Sequence, residues 1–346
     1  MSNFLIVLSD DHRAGRGVRG MTLAWFLRTF HGRRAVRVVS PQQLSPRRTL
    51  TADYVFIGLP TSLNSQQLAG FQSREVVLFD YHDFPFPVWG SSDQNLLRSL
   101  TNRYWKPWVE ECWSSDFRWG CLPIRRSRKL QACLQWQRVK SKPTKHFDYG
   151  FLGTPNGMRC VSAEGSTDSY NQRIEWLLEL QRELPNAIAW GGIVIPSHLR
   201  GWAQKFPQLS SIEYTKGRVS FFRYFDTLRR CRVALTPAGN ARWSYRQYEA
   251  VYARSTVIST DFSQARMLIP FPQENVQMVP DHAAVTPFVE LALAQQTDAN
   301  EMAEHSVGIL ERYLQDGVYS RRRPLLMDRF LHQFDDDYHC FRDDAA

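Results

Sequence analysis

Residues 233–260 read VALTPAGNARWSYRQYEAVYARSTVIST, and this stretch decides the fold. A short apolar run over 233–237 is followed by a turn that contains Gly239. An amphipathic segment over 243–253 comes next, and a second apolar run over 256–260 ends the stretch. A strand, a turn, a helix and another strand in this order are typical of a unit with parallel strands. The stretch therefore predicts a Rossmann-like sheet covered by helices.

The same alternation occurs elsewhere in the chain. Strands are predicted over 4–8, 35–40, 54–59, 75–79, 147–153 and 187–193, and helices over 21–31, 93–104, 170–184, 196–205, 221–230, 281–295, 300–315 and 321–334. A basic segment with Pro143, residues 125–145, separates two halves of the same kind. We therefore predict an α/β fold of two Rossmann-like domains that face a cleft, with ligands at the carboxyl ends of the strands.

The predicted first domain covers residues 1–145, and a C-terminal helix of about 321–346 packs back on it. The predicted second domain covers residues 146–320. With 346 residues, of which 43% are hydrophobic, the chain can bury two cores and is not a disordered chain.

The sequence also limits the compartment and the metal chemistry. No apolar run is long enough to cross a bilayer, so no transmembrane segment is predicted. The apolar start, residues 1–9, lacks the small-residue cleavage site of a signal peptide and is expected to be a strand. The six cysteines form no CxxC pair, which argues against structural zinc. We expect a cytoplasmic protein with free, mostly buried thiols.

The formal net charge of +9 favours anionic partners such as nucleotide phosphates, nucleic acid or a membrane surface. The basic residues form two patches. One covers residues 125–145, and the N-terminal patch contains Arg13, Arg16, Arg19, Arg28, Arg33, Arg34 and Arg37. Each patch is either a solvated face or a surface that binds DNA, and the sequence leaves both alternatives open.

The segment 237–249 has the features of an anion-binding site. The turn that contains Gly239 follows a predicted strand, and Ser244 is a plausible N-cap of the next helix. The start of a helix presents free backbone N–H groups and a positive dipole end, and both of these attract phosphate.

Three charged residues of this segment have helical spacing. Arg242, Arg246 and Glu249 are spaced i, i+4 and i+7, so they are expected on one face of the helix. Two guanidinium groups suit a diphosphate, and a carboxylate can accept hydrogen bonds from both hydroxyls of a ribose. An ordinary surface helix with an Arg–Glu ion pair is the alternative. The position directly after a strand favours the ligand site.

The segment resembles the donor-binding motif of the exostosin-like glycosyltransferases, which have the GT-B fold of two Rossmann-like domains. In that family Pro-x-Gly is followed by Ser-x-Arg-x-x-Glu-Ala, a turn of small residues and a Val-Ile strand. The matching residues here are Pro237, Gly239, Ser244, Arg246, Glu249, Ala250, Val257 and Ile258. The resemblance covers about residues 147–280 and fades in the N-terminal half. Arg254 and Ser255 depart from the family's small-residue turn.

The resemblance implies an inverting, metal-independent glycosyltransferase that moves a sugar from a UDP- or GDP-sugar to an acceptor hydroxyl. The nucleotide sugar is a co-substrate, and no cofactor is expected. The donor-binding residues implied are Gly153, Thr154, Arg218, Gly239, Arg242, Ser244, Tyr245, Arg246 and Glu249. Glu249 would hold the ribose, the first two residues would lie beside the phosphates, and Arg242, Ser244 and Arg246 would lie near the diphosphate. Arg218 would border the nucleobase or a phosphate.

An inverting transferase needs a general base for the acceptor hydroxyl. Two predicted strand ends of the N-terminal half carry an acid next to a histidine, namely Asp11 with His12 and Asp80 with His82. Either pair could supply a carboxylate or a carboxylate-supported imidazole. A hydrogen-bonded structural role is the alternative for each histidine. No Asp-x-Asp motif occurs among the predicted strand ends, and arginines can neutralise the leaving diphosphate without a metal.

The acceptor and the overall function stay open at this point. Aromatic residues between positions 80 and 120 are interleaved with basic ones and suit a glycan or a nucleic acid. Gly15, Gly17 and Gly20 match GxGxxG, but they lie too far past the strand and lack the later acidic residue, which argues against NAD binding. Three functions fit: sugar transfer to a glycan or lipid-linked acceptor, transfer to a hydroxylated base in DNA, and a nucleic-acid-binding module of GT-B fold without catalysis.

Overall fold

The computed structural model describes residues 3–9, 21–44, 52–61, 63–68, 75–82, 87, 94–110, 113, 115–123, 142–155, 171–204, 206–239, 242–268, 271, 276–295, 301, 304–305 and 325–335. These residues divide into two compact units. The first comprises those of Met1–Arg125, Ala265–Phe271 and Arg312–Ala346, and the second those of Arg126–Gln264 and Pro272–Glu311. No helix of the described part is long and apolar enough to cross a membrane.

Some of the residues singled out in the sequence lie outside these ranges. They are Asp11, His12, Arg13, Gly15, Arg16, Gly17, Arg19, Gly20, residues 125–141 of the second basic patch and most of the helix predicted over 300–315.

The first unit is built around a six-stranded parallel sheet. Its strands are β1 (Phe4–Val7), β2 (Val36–Val39), β3 (Tyr54–Gly58), β4 (Glu75–Phe79), β5 (Arg103–Lys106) and β7 (Arg118–Cys121), and its helices include α1 (Met21–His31), α2 (Ser65–Leu68) and α3 (Gln94–Leu100). The strand order is β2-β1-β3-β4-β5-β7, with β1 between β2 and β3. Every residue of β1 is buried, as expected for a central parallel strand.

Two later segments of the chain belong to the first unit. The short strands β6 (Val109–Glu110) and β12 (Ala265–Arg266) pair antiparallel. Helix α10 (Leu325–His332) packs on the sheet through Phe330, whose ring centroid is 5.1 Å from that of Trp105. This helix near the end of the chain therefore contributes to the aromatic core of the first unit.

The helix predicted over 93–104 is wrong at its end. Helix α3 ends at Leu100, and Arg103 already belongs to β5. The hydroxyl of Thr101 donates to the carbonyl of Val76 at 2.8 Å and accepts from the N–H of Arg103 at 3.1 Å. These two bonds tie the chain to the neighbouring strand and start β5, which the residue pattern does not predict.

The second unit has a five-stranded parallel sheet of order β13-β11-β10-β8-β9. Its strands are β8 (Phe147–Gly153), β9 (Ala189–Ile193), β10 (Cys231–Thr236), β11 (Thr256–Thr260) and β13 (Val276–Val279). Its helices include α4 (Gln172–Glu183), α5 (Arg200–Ala203), α6 (Leu209–Ile212), α7 (Phe221–Leu228), α8 (Tyr245–Tyr252) and α9 (Thr286–Ala294). Trp176 and Leu180 of α4 pack with Val233, Ile258 and Val289 in one core cluster.

The chain order reverses beside the first strand of each sheet. In the first unit the chain passes from β1 to β2 on one side and then to β3 on the other. In the second unit it passes from β8 to β9 and then to β10 on the opposite side. Open α/β sheets bind ligands outside the carboxyl ends of the strands at such a reversal. The loops after β8 and β10, and the loop after β3, are therefore where a site is expected.

Candidate functional site

A buried arginine ties together the two loops at the reversal of the second sheet. The guanidinium of Arg173, in the first turn of α4, donates to the carbonyl of Thr154 at 2.8 Å and to that of Ala238 at 3.0 Å. A side chain at position 239 would place its Cβ 2.2 Å from Nη2 of Arg173, so glycine is required for this close approach. The predicted residues Thr154 and Gly239 therefore lie at the same cationic group.

Residue types do not single out Arg173 in the sequence, because an arginine is ordinary in an amphipathic helix. Its position follows from the start of α4. Asn171 is the N-cap, and its side chain accepts a hydrogen bond from the N–H of Ile174. The cap fixes Arg173 in the first turn, at the carboxyl edge of the sheet.

A second arginine lies against the end of β8. The guanidinium of Arg246 donates to the carbonyl of Leu152, and its central carbon lies 4.9 Å from the ring centroid of Phe151. A Cβ at Gly153 would lie 3.0 Å from both terminal nitrogens of Arg246, so the glycine leaves room for the guanidinium. The structure thus brings together Gly153 and Arg246, which are far apart in sequence.

Helix α8 begins where the sequence predicts. The side chain of Ser244, the N-cap, accepts a hydrogen bond from the N–H of Arg246 at 3.3 Å. The N–H of Ser244 donates in return to the side chain of Gln247 at 2.9 Å, which completes a capping box. This first turn follows the carboxyl end of β10. The predicted donor-binding residue Tyr245 is the first residue of α8.

Glu249 and Tyr224 form the next part of the cluster. Burial raises the pKa of Glu249, while the charge of Arg246 and a hydrogen bond from Tyr224 lower it, and the balance lies above the ordinary value. Burial and the charge of Glu249 raise the pKa of Tyr224 well above its ordinary value. The phenol therefore stays protonated and donates to the carboxylate. Tyr224, on α7, is a member of the cluster that the sequence does not reveal.

Arg242 does not share a helix face with Arg246 and Glu249, so this part of the prediction is wrong. Helix α8 begins directly after its N-cap, Ser244, so Arg242 lies in the preceding loop. Its guanidinium contacts Asp281 at 2.5 Å and the carbonyl of Asp261 at 3.2 Å. Arg242 is therefore ion-paired at the end of the neighbouring strands.

Arg218 occupies an exposed position before α7. Its side chain makes no hydrogen bond or ion pair with any residue that the structure describes. No contact with a described residue therefore supports the predicted role of Arg218 in donor binding.

The first unit has a buried ion pair at the carboxyl edge of its sheet. Lys106, at the end of β5, is fully buried and its ammonium lies 2.7 Å and 3.0 Å from the two carboxylate oxygens of Asp80. The hydroxyl of Tyr104 donates to Asp80 at 2.6 Å, and the N–H of His82 donates at 2.7 Å. Burial raises the pKa of Asp80, but the charge of Lys106 and these hydrogen bonds hold it below its ordinary value.

Asp80 and His82, which the sequence proposes as one acid–histidine pair, lie close together. Nδ1 of His82 is 3.6 Å from Oδ1 of Asp80, and the His82 side chain is 34% exposed. Asp80 is saturated with donors and has a lowered pKa, so it is suited to hold its neighbours rather than to accept a substrate proton. Within the described ranges, no group of three or more His, Cys, Asp or Glu side chains could hold a metal ion.

No protein-family model matches the chain, and no curated protein sequence matches it either. Among solved structures, it is similar to a glycosyltransferase from Rickettsia africae ESF-5, with a TM-score of 0.52, 10% identity and coverage of 96% of this chain and 97% of that chain. It is also similar to sucrose-phosphate synthase from Thermosynechococcus elongatus, with a TM-score of 0.51, 11% identity and coverage of 96% and 99%.

At such low identities the likeness shows the fold. The chain has the α/β fold of two Rossmann-like units called GT-B, which confirms the predicted fold class.

Proposed function

We propose that the chain is a glycosyltransferase that uses a nucleotide sugar, and that the carboxyl edge of the second sheet binds this donor. The observation that carries the proposal is the convergence of Arg173, Arg246 and Glu249 with the start of α8 at the reversal between β8 and β10. Two arginines and a helix start suit a diphosphate, and a carboxylate one turn further suits a ribose. The GT-B fold adds support by analogy of fold alone.

Each group has a defined part in donor binding. The positive dipole end at the start of α8 and the guanidinium of Arg246 receive the diphosphate, beside Gly153. Glu249 accepts hydrogen bonds from the ribose hydroxyls, and it exchanges the bond from Tyr224 for them. Arg242 can approach the diphosphate only by leaving Asp281, so its part is secondary.

The finer features of the reaction are also part of the proposal. The donor is a UDP- or GDP-sugar, the transfer inverts the anomeric centre without a metal or cofactor, and the chain is related to the exostosin-like enzymes. The base comes from one of the two acid–histidine pairs, Asp11 with His12 or Asp80 with His82. The acceptor is a glycan or a hydroxylated base in DNA, and the reaction takes place in the cytoplasm.

A thermal-shift screen against UDP, GDP, CMP and their sugars tests donor binding. We expect a raised melting temperature with one nucleotide family. Glu249→Ala should then lower the affinity for that nucleotide by about tenfold or more, because a hydrogen bond to a charged group is lost. Glu183→Ala is the matched control, since that exposed residue pairs with Arg182 on the outer side of α4. Normal affinity of the Glu249 variant would exclude this site.

A second candidate is nucleic-acid binding without catalysis, which the N-terminal basic patch favours. Arg33, Arg34 and Arg37 are exposed, and none of them pairs with a carboxylate of the described chain. Binding to random-sequence DNA with an affinity that falls steeply as salt rises would support nucleic-acid binding by this surface. The same result would support its use in binding a DNA acceptor. Hydrolysis of a nucleotide sugar in the absence of an acceptor would exclude the non-catalytic alternative.

A further inference from the structure

Tyr224 of α7 contacts the carboxylate to which the proposed function assigns the ribose. Its side chain forms a hydrogen bond with the side chain of Glu249 on α8. A protonated phenol donates and a carboxylate accepts, so Tyr224 makes the same kind of bond to Glu249 that an alcohol hydroxyl would make. Both residues keep part of their surface exposed, so the pair is not sealed inside the core.

The backbone and the ring of Tyr224 are held by contacts that do not involve its hydroxyl. Helix α7 begins after its N-cap, Ser220, whose carbonyl accepts a hydrogen bond from the N–H of Tyr224 at 2.9 Å. The ring centroid of Tyr224 lies 6.0 Å from that of Trp190 on β9 and 6.0 Å from that of Phe221. Replacing the tyrosine by phenylalanine therefore removes the bond to Glu249 and keeps these contacts.

The groups around Glu249 make this bond relevant to its charge. Burial raises the pKa of Glu249, whereas the charge of Arg246 on the same helix and the bond from Tyr224 lower it. Strand β10 packs against both helices and carries Cys231, which acts on Tyr224, and Arg232, whose ion-pair partner lies on β8. Strand β11, which also packs against α8, has no titratable side chain. The bond from Tyr224 therefore helps to keep Glu249 ionised in the absence of a ligand.

We propose that Tyr224 is a positioning residue of the donor site, and that its phenol occupies the place of a ribose hydroxyl at Glu249 until the nucleotide displaces it. This inference rests on the proposed donor site and adds a residue that sets its affinity. Donor binding exchanges one hydroxyl donor for another at the same carboxylate, and no covalent bond changes. The exchange lowers the affinity for a ribonucleotide, because the bond that breaks offsets part of the bond that forms.

The sign of the effect of Tyr224→Phe follows from this exchange. Above the pKa of Glu249 the wild type breaks the phenol bond on binding and the variant does not. The variant should therefore bind UDP or GDP about threefold to tenfold more tightly. Below this pKa the carboxyl is protonated in both free proteins, and the phenol bond to its charged form is absent from both. The gain in affinity should therefore be largest near about pH 8 and shrink towards about pH 5.

Calorimetric titration at these two pH values measures the gain. The ligands are UDP or GDP, whichever raises the melting temperature of the wild type more, and the 2′,3′-dideoxy form of the same nucleotide. The dideoxy form has no hydroxyl that could displace the phenol, so the wild type and Tyr224→Phe should bind it equally. The phosphates ionise alike with both proteins, so the ratio of the two affinities isolates the change at Glu249.

Two further variants separate a ligand role from a structural one. Tyr149→Phe removes the hydroxyl of another buried tyrosine, on β8, and should bind both nucleotides like the wild type. In the background of Glu249→Gln the charged acceptor is absent. Adding Tyr224→Phe to that variant should change the affinity by less than about twofold at either pH.

The outcomes distinguish this inference from the proposed function. If the wild type binds neither UDP nor GDP, the proposed donor site fails and this inference fails with it. Normal binding by the wild type with equal or weaker binding by Tyr224→Phe near about pH 8 overturns the inference alone. An equal gain for the dideoxy nucleotide, or a gain that persists in the Glu249→Gln background, also overturns it, since Tyr224 would then act on the shape of the site and not in place of a ribose hydroxyl.

Discussion

Replacing Lys106 by methionine is expected to destabilise the protein strongly. Lys106 is fully buried, and its ammonium contacts both oxygens of Asp80, which is itself 1% exposed. Methionine fills a similar volume but leaves the carboxylate, among the described residues, with only the donors of Tyr104 and His82. Removing one partner of a buried ion pair costs about 3–5 kcal/mol, because the remaining charge stays buried without a counterion.

Urea unfolding of four proteins measures this coupling. They are the wild type, Lys106→Met, Asp80→Asn and the double variant. The double variant should be more stable than the sum of the two single losses predicts, because no unpaired charge remains. Its coupling energy should be about 1–3 kcal/mol, as in other contacting pairs.

The pH dependence of the loss follows from the pKa of Asp80. In the wild type this pKa lies below its ordinary value, so the pair contributes stability above the ordinary value and loses it as the pH falls. Without Lys106, burial raises the pKa, and the carboxyl gains a proton in mild acid. The deficit of Lys106→Met should therefore narrow between about pH 7 and about pH 4. A loss below about 1 kcal/mol, or strict additivity, would refute the reasoning.

Three further substitutions give expected outcomes. Burial lowers the pKa of Lys145 from 10.5 to about 8, so the folded chain binds fewer protons than the unfolded chain between these values. Its stability relative to Lys145→Met should rise across that interval, as measured by urea unfolding at several pH values. Gly239→Ala places a methyl group against the guanidinium of Arg173 and should lower the affinity for the donor about tenfold in calorimetric titration. Gly201→Ala places its methyl group in open space and should leave this affinity unchanged. Phe330→Ala empties the aromatic core of the first unit and should cost about 3–5 kcal/mol in denaturant unfolding, whereas the half-exposed Phe222 should tolerate alanine.

The elements of the second unit follow directly from local patterns. Strand β11, Thr256–Thr260, occupies the residues predicted for it, and α4 lies within its predicted limits. Buried parallel strands are short apolar runs and the helices are amphipathic, so the sequence records both locally. The strands of the aromatic segment from Arg103 to Cys121 are harder to predict from the sequence, because Trp and Tyr are typical both of strands and of core packing.

The candidate site is only partly local. Ser244, Arg246 and Glu249 lie on one cap and helix start, so their spacing alone indicates an anion site. Their partners Arg173 and Tyr224 come from other helices, and only the tertiary fold brings them there. The error at Arg242 came from continuing the helical spacing past the N-cap.

The surroundings of the acid–histidine pair in the first unit depend still more on tertiary structure. Asp80 and His82 are neighbours in sequence, and the acid–histidine pair was visible there. Lys106 ends the neighbouring strand β5, and its relevance depends on burial and on the parallel pairing of β4 with β5. No pattern of residue types in the sequence indicates that this lysine is fully buried.

Nucleotide release from UDP- and GDP-sugars by the wild type, Glu249→Gln and Glu183→Gln tests the assignment of the donor site most directly. We expect the wild type and Glu183→Gln to release one nucleotide diphosphate at equal rates. The kcat/KM of Glu249→Gln should be lower by about tenfold or more, since the carboxylate that receives the ribose hydroxyls is gone. Equal kcat/KM values for all three proteins would contradict a nucleotide-sugar site at Glu249.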